Sequence, residues 1–285
     1  MPLQLKTVEP RRGTRWVGDA FRLYVRRPLA LTLLFVAFLA ASTIVAAALP
    51  FVGSLLQLAS LPLLSLGFMV ATQSALLGGP VHPGQFVEPL RGDAQRRRAL
   101  LWLCALYGAA AFAILLLCSW VSDDALTRLQ ALMARGDTTP EELDALLAEP
   151  GVETAALLLL VLGSALTVPF WHAPALVHWG GQGVGQALFS STLALWRTKG
   201  AFALYGLTWS GLALLAGAGS ALLFGLLGAQ GLATLVALPL GLVFSTVFYV
   251  SLLFVFNDTF GSARGASSDA PPGSAVATPP GASEP

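Results

Sequence analysis

The sequence predicts an all-α integral membrane protein with six transmembrane helices and both termini cytoplasmic, because charge is scarce, the neutral gaps are long and the cations fall on one side. Of 285 residues, 55% are apolar and 11% charged, whereas about a quarter of a soluble domain is charged. An ordinary water-soluble globule is excluded. Sixty residues without a charge separate Arg27 from Glu88, 24 separate Arg98 from Asp123, 43 separate Glu153 from Arg197 and 58 separate Lys199 from Asp258. A hydrocarbon core about 30 Å thick takes about 20 helical residues per crossing. The gaps therefore hold two, one, one and two crossings, at 28–49, 55–78, 99–120, 154–178, 201–227 and 232–256. Barrel strands of about ten alternating residues do not fit runs this long, and helices pair their own backbone groups in lipid. Placing both termini and the loops after spans two and four in the cytoplasm puts fourteen of the sixteen Lys and Arg there, as the positive-inside rule requires. Trp16, Trp102, Trp120, Trp179 and Trp196 fall at the interfaces, as in an aromatic belt.

Residues 1–27 form the first unit. Arg12, Arg15, Asp19, Arg22 and Arg26 recur at helical spacing, and Trp16, Val17, Ala20, Phe21 and Tyr24 take another face. The segment reads as a helix lying in the cytoplasmic headgroup layer before Pro28 opens span one. It serves as a topology anchor or as a contact for anionic lipid or a partner, with Arg12, Arg15, Trp16 and Arg22 as candidates. A cleaved signal peptide is the weaker reading, since the 21-residue apolar run exceeds a signal core of about 7 to 15.

The membrane domain spans 28–259. In span two, Gln57, Ser60, Ser65 and Thr72 share one broad arc that includes Pro62, and they line a cavity or bond between helices. The loop that follows carries Arg96, Arg97 and Arg98, further candidates for lipid or partner contact. Span three holds Cys104 and Cys118, which lie about 21 Å apart on one helix and so read as packing residues, not a disulfide. The outer loop, 121–153, carries eight acids against two bases. Ser122 caps a helix there, with Asp123 and Asp124 in its first turn and Leu126, Leu129 and Met133 as its stripe, stopping near Gly136. A second helix opens with Thr139, Pro140 and Glu142 as a capping box and closes at Pro150 and Gly151. The loop is a solvated cover or a docking surface for a periplasmic partner.

In span four, Pro169 and Pro174 bend the helix and free backbone carbonyls. Trp171, His172 and His178, with Gln57, form a candidate ligand or proton site; hydrogen-bonded interfacial histidines are the plainer reading. Joining His82 to them as a metal site has little support, because His172 and His178 stand about 240° apart around a straight helix. The uncharged but polar stretch 180–196 is placed at the interface. Span five carries small residues Gly206, Ser210, Gly217, Ala221 and Gly225, read as intrachain packing ahead of a homodimer seam. The Gly- and Pro-rich tail, 260–285, reads as disordered. Similar preambles at Gly18, Phe21 and Arg26, at Gly84, Phe86 and Arg97, and at Gly185, Phe189 and Arg197 raise the option of three repeated units, each an interfacial helix plus a membrane hairpin.

None of the charged residues falls inside the six windows, which weakens an ion-driven transporter. No P-loop, HExxH, GxSxG, paired CxxC or EF-hand motif occurs, and no basic domain supports nucleic-acid binding. No enzyme activity, cofactor or metal is expected. Through Gly13, Trp16, Val17, Phe21, Leu23, Tyr24 and Pro28, followed by six spans and the basic loop at Arg96, Arg97 and Arg98, the chain resembles an uncharacterised family of bacterial six-span integral membrane proteins with a basic N-terminal amphipathic helix. The resemblance covers most of the chain to about Gly261 and implies inner-membrane residence, with no activity or site residue to carry over. The leading expectation is a non-catalytic protein that contacts lipid, especially anionic headgroups on the cytoplasmic side, or a protein partner. The alternative is a transporter or channel-like carrier for a neutral or amphipathic solute, using span four and the polar face of span two.

Overall fold

A computed structural model describes residues 3–135, 139–149, 151–228 and 230–262. Among them a short strand, β1 (Leu3–Leu5), precedes twelve α-helices and a last strand, β2 (Phe260–Ser262). The helices are α1 (Arg12–Arg26), α2 (Pro28–Ala48), α3 (Pro50–Ala59), α4 (Leu61–Leu76), α5 (Ala94–Val121), α6 (Ala125–Arg135), α7 (Pro140–Leu147), α8 (Val152–Phe170), α9 (Ala173–His178), α10 (Val184–Arg197), α11 (Lys199–Leu226) and α12 (Gln230–Thr259). Five segments are long and apolar enough to cross a membrane: α2, α5, α8 with α9, α11 and α12; α3 with α4 makes a sixth.

Span two is not the single rod expected over 55–78. Its helix starts at Pro50 and breaks at Ser60, where α3 and α4 meet at a 44° bend. Pro62 explains the break, since it has no N–H for the Leu58 carbonyl and its ring collides with that turn. The Ser60 hydroxyl donates to the Gln57 carbonyl at 2.7 Å and helps close the end of α3. Stretch 180–196 forms α10, a 14-residue helix of about 21 Å, too short to span the hydrocarbon core.

The buried core gathers at one end of the bundle. α12 enters all three apolar clusters through Val247, Val250, Leu252, Leu253, Val255, Phe256 and their neighbours. Its other half, at Leu235, Val236 and Leu238, is exposed, as are Leu214, Leu215, Leu222 and Leu223 of α11. At the packed end β1 and β2 pair antiparallel, Leu3 with Ser262 and Leu5 with Phe260, so the two ends of the described chain lie together. The segment expected to be disordered from 260 is therefore a strand as far as Ser262; residues 263–285 lie outside the described residues.

Four further expectations are corrected. α1 does not lay its apolar face on headgroups: Trp16, Val17, Ala20 and Leu23 are buried, and the helix packs on α11 and α12. Gly13 permits that approach, because a β-carbon there would sit 2.1 Å from the Ala201 carbonyl oxygen. Asp123 and Asp124 do not form the first turn of α6: both adopt positive φ in a tight turn, and the helix starts at Ala125. The predicted capping box of α7 forms, with Thr139 accepting from the Glu142 N–H at 3.3 Å. The small residues of span five are exposed, with open space around Gly206, Gly217 and Gly225, so they do not pack within the chain. Helices α1 and α10 precede α2 and α11, but two 3-10 turns, Pro83–Phe86 and Glu88–Leu90, stand where a third interfacial helix was expected.

Candidate functional site

Two broken helices meet in the packed part of the bundle. Span four stops at Trp171 and restarts at Ala173. Pro169 and Pro174 lack N–H groups and so leave the Ala165 and Phe170 carbonyls without their usual donors. Ser191 of α10, fully buried, bridges the break: its hydroxyl accepts from the His172 N–H at 3.0 Å and donates to the Val168 carbonyl at 3.0 Å. An irregular backbone within the membrane is tolerated only where such partners exist. Ser191 falls in the polar stretch 180–196, and its role becomes visible when α10 folds across α8.

The break in span two faces the break in span four across a cavity of about 140 Å³. Leu61, Pro62 and Ser65 of α4, Thr167 and Phe170 of α8, and Trp171 line it, with Tyr107 of α5 and Phe248, Tyr249 and Leu252 of α12. No charged side chain is among them. Ser65 donates to the Pro62 carbonyl at 2.8 Å and Thr167 to the Ser164 carbonyl at 2.7 Å, so each hydroxyl keeps its lone pairs. The first turn of α4 and the last turn of α8 thus border one space.

Of the four residues expected to form one ligand or proton site, Trp171 alone lines the cavity. His172 is fully buried among Phe202, Phe256 and Phe260, with ring centroids 6.0, 5.8 and 5.3 Å away. Neither ring nitrogen has a hydrogen-bond partner among the described residues, so the hydrogen-bonded histidine expected there is not found. His178 lies at the end of α9, where its carbonyl accepts from Arg96 at 3.3 Å and its ring meets Trp179. Gln57 points away to α2, with its amide 3.5 Å from the Ser42 hydroxyl. No group of three His, Cys, Asp or Glu side chains able to hold a metal occurs among the described residues.

The expected contact residues divide in the same way. Arg15, Arg22, Arg97 and Arg98 are exposed, and Arg22 pairs with Asp19 at 2.9 Å within its own helix. Arg96 is exposed but tied to the His178 carbonyl. Trp16 is fully buried, and its indole N–H donates to Asp258 at 2.6 Å, so its ring reaches neither lipid nor partner. Arg12 donates to the same carboxylate, 2.8 Å from its Nε. These two residues dock α1 on the last span. Beside them a recess of about 360 Å³ opens under the β ribbon, lined by Lys6, Gln73, Trp179 and Asn257.

A protein of Burkholderia thailandensis named Probable inner membrane protein is 33% identical over 263 residues, 91% of this chain and 94% of that protein. No family model matches the chain. No solved structure matches it.

Proposed function

The chain belongs to the family of that Burkholderia thailandensis protein and resides in the inner membrane as a multipass protein, and from this premise we propose that it is a non-catalytic protein whose cytoplasmic face holds anionic phospholipid headgroups. The face is the packed end, where the chain ends meet, and both termini are cytoplasmic in this reading. One observation carries it: Arg15, Arg26, Arg97, Arg98 and Arg197 are exposed at that end without an ion pair among the described residues. On the opposite end Arg128 is neutralised by Glu149. Each cation near an anionic leaflet contributes about 1 kcal/mol. The recess lined by Lys6, Gln73 and Asn257 adds a cation and two amides at headgroup depth.

The test is native mass spectrometry of protein extracted gently from membranes, with phosphatidylglycerol and cardiolipin counted against phosphatidylethanolamine. The wild type is expected to retain anionic lipid preferentially. The variant with Arg15, Arg26, Arg97 and Arg98 changed to Gln should lose that preference by well over tenfold, since about 1 kcal/mol per charge makes each change alone worth about fivefold. Equal retention of the three lipids, or a preference untouched by the four changes, overturns the reading.

A further inference from the structure

We propose that the cavity between the two helix breaks binds a small uncharged molecule with an apolar body and one hydroxyl group, of about the size of phenol, entering from the bilayer. Volume sets the size. At about 140 Å³ the space is close to the roughly 150 Å³ of apolar protein cavities that take up benzene. The lining sets the charge: Pro62, Ser65, Tyr107, Thr167, Trp171 and Tyr249 include no ionised group, and a ligand ion would lose its hydration without a counter-charge. The aromatic walls favour a flat apolar body; the Tyr107 and Phe170 rings, for example, stand edge-to-face at 5.1 Å.

The lining hydroxyls set the polar group. Ser65 and Thr167 already give their hydrogens to backbone carbonyls and so can each accept one, and both line the cavity. A ligand hydroxyl supplies that hydrogen, whereas a bare hydrocarbon or a ketone has none to give. The route follows from exposure: Thr167 is exposed at the rim, whereas Pro62, Phe170 and Leu252 are buried at the back. A ligand that first dissolves in the bilayer can therefore enter sideways.

Fluorine NMR of 4-fluorophenol and fluorobenzene, added to the full chain in nanodiscs of neutral lipid, tests this. Saturable broadening of 4-fluorophenol beyond that of empty discs is expected, with binding of fluorobenzene weaker by a few-fold to about tenfold, the worth of one hydrogen bond. Ser65→Leu fills the space and should abolish both signals, while Ser210→Leu, on an exposed part of α11, should leave them. Should Ser65→Leu not fold, Ser65→Ala keeps the space, removes one acceptor and should weaken only 4-fluorophenol. Absence of saturable broadening, or broadening unchanged in Ser65→Leu and Ser65→Ala, overturns the proposal. The four Arg→Gln changes above leave these signals intact, so failure here and failure of the headgroup reading are distinguishable.

Discussion

At the residue scale, Asp258 carries the docking of the N-terminal helix. One carboxylate oxygen accepts from Arg12 and from Trp16, tying residues 242 and 246 positions away in sequence to the end of the last span. A carboxylate near a helix C-terminus is unfavourable by itself, and the Arg12 guanidinium offsets it. Asp258→Asn keeps the shape and removes the charge, so both donors lose a charge-assisted bond, which contributes about 1.5–3 kcal/mol. α1 should then leave α11 and α12 more often. In detergent-solubilised protein, trypsin should cut after Arg12 and Arg15 several-fold faster in Asp258→Asn than in wild type; equal rates would show that Gly13 and the apolar face hold the helix without the carboxylate. Asp258 was visible in the sequence only as the end of a neutral gap, since nothing local says which distant cation meets it.

At the element scale, the break of span two is the feature on which the cavity depends. Pro62→Ala restores an N–H for the Leu58 carbonyl and removes the ring, so α3 and α4 should straighten toward one rod. Spin labels at the exposed positions Val52 and Leu77, with both cysteines replaced by Ala, should move apart by about 2–3 Å, given 1.5 Å rise per residue and a 44° bend. An unchanged distance would mean that packing of α3 on α2 and α5 imposes the bend. The rods themselves were legible from neutral length, and the α7 capping box from Thr139, Pro140 and Glu142, because these signals are local. Which face of a rod is buried was not legible. Lipid tails are as apolar as leucine, so the small stripe on α11 reads as a packing seam whether it meets protein or lipid. α1 shows the same ambiguity in reverse: its amphipathic pattern fits a headgroup surface or a protein groove, and Gly13 against Ala201 decides for the groove. The cavity needed both breaks to be placed against each other, which spacing along one chain cannot do.

At the scale of the whole molecule, packing and charge share one direction. The buried half of α12, the β ribbon, α1 and most of the exposed cations stand at one end, while the opposite halves of α11 and α12 splay apolar surface outward. Pairing of β1 with β2 requires an even number of crossings whatever the lipid does, and α3 with α4 counted as one span makes six. The proposed orientation turns the cationic end to the cytoplasm, because retaining fourteen of sixteen Lys and Arg inside is the arrangement the positive-inside rule favours. Reporters that fluoresce only in the cytoplasm should therefore light up when fused before Leu3 and when fused after Ser262, and a reporter active only in the periplasm should respond when inserted at 136 in the acidic loop. A dark N-terminal fusion with a bright C-terminal one contradicts the ribbon and the even count. Dark fusions at both ends with a silent loop reporter would keep the fold but invert it, and the cationic face would then lie on the wrong side for the inner leaflet it is proposed to hold.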